Sequence, residues 1–156
     1  MVEFLISNPS IIVAVIAVSG VLITAWITLK NNNKNVLIKT VTEERAKWRS
    51  EVRDACSEFI KIASVISLTK DEKSLPRLLE LKVQLKLRLN PSQEPKHHLD
   101  QSIIKLLDGI YQRLSKSNNF THVDNDLKRL EEHVQKLLKQ EWSKSKDEAI
   151  SGKVGN

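Results

Sequence analysis

Several residue types are scarce in this 156-residue chain, which has one Cys, four Gly, four Pro and 4% aromatics. A lone cysteine excludes an internal disulfide framework and a cysteine-rich zinc site, so the fold must rest on packing. No Gly-rich phosphate loop occurs, and Asp and Glu form no paired constellation beside one. Hydrolase or kinase chemistry therefore has nothing to stand on, and no enzyme activity and no cofactor are expected. Few aromatics and glycines beside many Leu, Lys and Glu favour helices over a sandwich or a Rossmann-type sheet. The length leaves room for one domain and a short appendage.

What the chain does have is one long apolar run. Residues 11–29 read IIVAVIAVSGVLITAWITL, without a charge and with only Ser19, Gly20, Thr24 and Thr28 among the aliphatic side chains. At a helical rise of about 1.5 Å per residue they span roughly 28 Å, close to the hydrocarbon thickness of a bilayer. Pro9 and Ser10 punctuate the start, and Trp26 stands near the other end, where an indole can straddle the interface. A cleaved signal peptide would open with positive charge and carry a shorter apolar core, whereas this flank holds Glu3 and no Lys or Arg. The alternative of a buried core helix is unusual in so small a protein.

All 25 Lys and Arg lie at or after Lys30, with Lys30, Lys34 and Lys39 just past the span, so the C-terminal side is expected to be cytoplasmic. Beyond the span 25 bases stand against 18 acids, a net +7. The unpaired Cys56 suits that reducing side.

The fold class expected is all-α, one N-terminal transmembrane helix followed by a cytoplasmic assembly of about four helices. The divisions are a short external N-terminus at 1–10, the membrane helix at 11–29, a polar linker at 30–39, a helical domain at 40–146 and a flexible tail at 147–156. Asn31, Asn32, Asn33, Lys34 and Asn35 are poor helix formers and read as the linker, or at least as a weak point in any continuous helix. Thr40 with Glu43 fits a capping box, after which Trp48, Val52, Ala55, Cys56, Phe59, Ile62, Ala63 and Ile66 recur at helical spacing to about Leu68.

Ser74 before Leu75 and Pro76 suits a second helix start. Its body is ambiguous, because Leu81, Val83, Leu85, Leu87 and Leu89 alternate with polar residues as a strand would. A helix places Leu75, Leu78, Leu79, Leu85 and Leu89 on one face with Lys82 and Lys86 intruding. It is preferred because no other segment offers a strand partner. Leu99, Ile103, Leu106, Leu107, Ile110 and Leu114 mark a third helix that stops near Asn118 and Asn119. Asp124 caps a fourth with Leu127, Leu130, Val134, Leu137, Leu138 and Trp142 on its stripe.

Two basic clusters are the candidate anion-binding residues. Arg45, Arg49 and Arg53 stack along one helical face, where like charges repel and an anion would offset them; otherwise Glu44, Glu51, Asp54 and Glu58 neutralise them at the surface. Lys82, Lys86 and Arg88 form the second, either simply displayed at the surface or, since both lysines interrupt an apolar face and need a partner there, a ring that would suit a symmetric polyanion if protomers surround an axis. His97 and His98 are adjacent and lack a spaced partner, so no metal site is expected. His122 and His133 are isolated, and Cys56 lies on an apolar stripe as a packing thiol. Positive charge interleaved with acids gives no footprint for duplex nucleic acid.

The run TEERAKWRSEVRDACSEFI, followed by LLELKVQLKLRLNP and a Leu/Ile-rich helix, resembles a group of small bacterial single-pass membrane proteins with an ERxKWxxxxR segment and a later Leu-rich helix closing on Asn-Pro. Members are mostly uncharacterised, and the resemblance implies helical packing and a place in the bacterial inner membrane, without an activity. In length, order of parts and basic charge the chain is also similar to the membrane-anchored effector family of type III CRISPR systems. That likeness implies a homo-oligomer whose cytosolic domain binds cyclic oligoadenylate and which acts on the membrane in antiviral defence. The other class of function open to such a chain is a membrane-tethered adaptor that docks a protein partner without a small-molecule ligand.

Overall fold

A computed structural model describes residues 9–116 and 122–151 of the chain. Among the described residues the protein is all-α, with α1 (Pro9–Thr69), α2 (Leu75–Arg88), α3 (His98–Lys116) and α4 (Val123–Ser151), joined in part by 3-10 turns at Glu72–Ser74 and Pro95–His97. Residues 81–89 are therefore helical up to Arg88, as the absence of a strand partner requires. Contacts divide the chain into two units, residues 42–147 and a second made of residues 1–41 with 148–156.

In the second unit, residues 12–29 are exposed throughout, which excludes the buried-core reading of the apolar run. Val13, Ile16, Val21, Leu22 and Trp26 each leave more than half of their surface open. The run is long and apolar enough to cross a membrane. Its hydroxyl groups are already satisfied: Ser19 Oγ donates to the Val15 carbonyl, Thr24 Oγ1 to Gly20 and Thr28 Oγ1 to Thr24, each at 2.8 Å. Such internal bonding is what hydrocarbon demands of a polar side chain.

Two sequence expectations on α1 are corrected. Thr40 does not cap a new helix, and residues 30–39 do not form a non-helical linker, because α1 runs through both. Extending an existing helix adds one hydrogen bond per residue without a new nucleus, so asparagines that would disfavour initiation are tolerated in propagation.

The unit 42–147 holds the hydrophobic core. Val52, Cys56, Phe59, Ala63 and Ile66 of α1 meet Leu78, Leu81 and Leu85 of α2, Ile103, Leu107 and Ile110 of α3, and Leu127, Leu130 and Val134 of α4. Each set recurs at three- and four-residue spacing, so each helix turns one stripe inward. After α1 the chain reverses at Lys70, a left-handed residue with φ of 57° whose N–H bonds the Ile66 carbonyl at 2.8 Å. The Asp71 side chain then accepts from the Lys73 N–H at 3.1 Å and starts the 3-10 turn.

Ser74 does occupy the position before α2, with no side-chain capping bond, and proline opens the helix. Between α2 and α3, buried Asp100 accepts the Asn90 N–H at 3.2 Å and lies 3.8 Å from His97 Nδ1, while His98 Nδ1 is 3.1 Å from the Pro95 carbonyl. His97 thus belongs to the α2–α3 connection, and His98 opens α3.

Asp124 lies inside the first turn of α4 instead of capping it, and the helix persists to Ser151, past the expected start of a flexible tail at 147. Trp142 is 55% exposed, outside the core, with Lys146 Nζ 5.5 Å from its ring centroid. The expected stop of α3 near Asn118 and Asn119 falls outside the described residues.

Candidate functional site

Two of the four acids expected to neutralise the α1 arginines, Glu51 and Glu58, bind α2 instead. Glu44, Glu51 and Glu58 recur every seventh residue, which keeps them on one helical face. Glu51 Oε2 accepts from Arg88 Nη2 at 3.1 Å, and Glu58 takes both Nε and Nη2 of Arg77 at 2.8 and 2.9 Å. The fork-on-carboxylate geometry holds the Glu58 carboxyl below the usual range. Glu51 and Glu58 are thereby committed to α2.

Of the first basic stripe, Arg49 Nη1 donates to Ser145 Oγ of α4 at 2.9 Å, and that buried hydroxyl donates onward to the Glu141 carbonyl at 2.8 Å. Arg45 is half-buried. Arg53 is exposed and forms no ion pair with any described residue. It lies at a groove of about 390 Å³ between α1 and α4, with Cys56, Ile60, Val134 and Leu138 as its apolar lining and Glu131 and Gln135 from α4 beside them. Gln135 Nε2 donates to Glu131 Oε1 at 3.0 Å. Burial, with the Glu131 charge adding to it, pushes the Cys56 thiol up to about 12. A thiol so far from ionising is a packing group and no nucleophile.

The second cluster is engaged inside the domain. Asp108 of α3 receives Lys86 Nζ at 2.7 Å and lies 3.3 Å from Lys82 Nζ. Lys82 Nζ also sits 4.4 Å from the Tyr111 ring centroid, a cation-π distance. Burial is the largest influence on Asp108 and raises its carboxyl, but the bonds and charges of Lys86 and Lys82 together outweigh it and hold the group below its ordinary range. Arg88 binds Glu51 and, through Nη1, the Gln84 carbonyl at 3.1 Å, and its own carbonyl accepts Trp48 Nε1 at 3.0 Å. The partner that the intruding lysines require is thus Asp108 with Tyr111. Of the six candidate residues, Arg49, Lys82, Lys86 and Arg88 bind partners within the domain, and Arg53 lies at the α1–α4 groove.

Sequence reasoning missed a ridge on α2. Apolar residues at alternate positions split over two faces when the backbone is helical. Leu78, Leu81, Leu85 and Leu89 are buried, whereas Leu79, Val83 and Leu87 are 39%, 46% and 82% exposed. Leu79 was expected on the buried face; Leu81 occupies it instead. The i, i+4, i+8 spacing of Leu79, Val83 and Leu87 was the available signal, and the apparent strand period concealed it.

Among the described residues no group of three or more His, Cys, Asp or Glu is placed to hold a metal ion. Comparison with protein-family models, with curated proteins and with solved structures finds no match to this chain.

Proposed function

We propose that the protein is a single-pass inner-membrane protein whose cytoplasmic helical domain is a docking module that holds a protein partner at the membrane. The observation that carries this reading is the α2 ridge of Leu79, Val83 and Leu87, which stays open to solvent while the neighbouring basic groups are consumed by internal pairs. An apolar row at helical spacing is the pattern by which one helix seats in the groove of another. The cytoplasmic orientation is supported by the placement of every Lys and Arg at or beyond Lys30. The test is a photo-crosslinking amino acid at position 87 in the full chain in cells. A crosslink to one partner protein of fixed mass, absent when the probe sits at exposed Gln112, is the expected result; crosslinks only to lipid, or none, contradict it.

A second reading has one specific observation in its favour. Arg53, exposed and without an ion pair among the described residues, lies at the α1–α4 groove, as a receptor for an anionic ligand requires. In this reading the domain self-associates, binds an anion such as a cyclic oligoadenylate and acts on the membrane in antiviral defence, the ligand shifting assembly only as far as it prefers one arrangement of subunits. A cyclic oligoadenylate in hundredfold excess over its Kd stabilises its receptor by about 2.7 kcal/mol. A thermal shift of the full chain that disappears in Arg53→Gln supports this reading, and no shift removes it.

A further inference from the structure

We infer that residues 30–35 form a collar that binds the headgroups of anionic phospholipids, an inference that rests on the membrane reading above. The collar consists of Lys30 and Lys34 with Asn31, Asn32, Asn33 and Asn35, and all six side chains are exposed on α1. Four asparagines in so short a stretch weaken a helix intrinsically. Their amides, and the Lys34 ammonium, meet no hydrogen-bonding or ionic partner among the described residues. Such a concentration of open donors is available to acceptors from outside the chain.

Depth supplies the acceptors. If residues 11–29 fill the hydrocarbon layer, the next six residues rise about 9 Å, close to the roughly 5–8 Å of polar headgroup on each side of a bilayer. Trp26 marks the boundary, and Lys30 Nζ stands 5.3 Å from its ring centroid, which keeps that ammonium beside an indole suited to the interface. The amides then face phosphate and ester oxygens, and the ammoniums face phosphate charge.

Charge decides between lipids. No acidic residue occurs in the sequence between Glu3 and Glu43, so the collar has no carboxylate near it along the chain to compete for its lysines. A zwitterionic headgroup brings its own cation and leaves the lysines uncompensated, whereas a net-negative headgroup offsets them.

The test places the full chain in nanodiscs of phosphatidylcholine containing a small fraction of spin-labelled phosphatidylglycerol or spin-labelled phosphatidylcholine, and reads the motionally restricted fraction of each. A several-fold preference for phosphatidylglycerol is expected, reduced by high salt. Lys30→Gln with Lys34→Gln brings the two lipids to parity, while Lys128→Gln with Lys136→Gln on α4 leaves the preference intact. Circular dichroism of each variant confirms equal helicity. Parity in the unaltered protein, or a preference that survives loss of both collar lysines, overturns the proposal. A chain that fails to enter the discs overturns the membrane reading itself, a result distinct from insertion without lipid selectivity.

Discussion

Asp108 carries two ammonium groups, and the pH dependence of the domain follows from it. Its carboxyl is held below the ordinary value of 3.8, so its pairing stabilises the folded chain fully above that pH and is lost as pH falls through the lower folded value. Thermal unfolding of the unaltered protein and of Asp108→Asn should therefore differ at neutral pH and converge on acidification. The neutral-pH difference should stay below about 1 kcal/mol, because all three groups reach solvent. A difference that grows in acid contradicts the pairing.

Phe59 is wholly buried, and Phe59→Ala should cost about 3–5 kcal/mol in a denaturant titration. The core role of Phe59 was legible from spacing alone. The partner of Lys82 and Lys86 was not, since Asp108 is distant in sequence and its placement depends on how α3 packs on α2.

At the scale of elements, α2 separates the two uses of leucine. Leu85→Ala should cost about 2–5 kcal/mol because Leu85 is 1% exposed, whereas Leu87→Asp should change stability by no more than about 0.5 kcal/mol. Equal destabilisation by both, measured by chemical unfolding, would mean that Leu87 is covered.

The inward stripes of α1, α3 and α4 could be read from the sequence because buried leucines and isoleucines recur there at three- and four-residue spacing against polar neighbours. α2 resisted because both of its faces are apolar, so its hydrophobic pattern imitates a strand. Helix ends were misjudged for another reason. Thr40 and the asparagine run each carry initiation or termination chemistry, but a helix already formed on one side overrides such local signals, whereas Asp124 misses the start of α4 by a single position. The Arg53 groove left no trace in the sequence, since Glu131 and Gln135 form no motif with residues of α1.

For the whole molecule, the division between an exposed apolar run and a cored helical unit is what gives function a location. Residues 12–29 expose their side chains, satisfy their own hydroxyls and lack charge, while the core residues lie in the unit 42–147. Proteolysis of spheroplasts and of inside-out vesicles containing the full chain, after confirming that alkaline carbonate leaves it in the membrane pellet, tests the central claim most directly. The account predicts retention in the pellet, protection of the C-terminal domain in intact spheroplasts and digestion in inside-out vesicles. Release by carbonate, or digestion of the domain in intact spheroplasts, would contradict it.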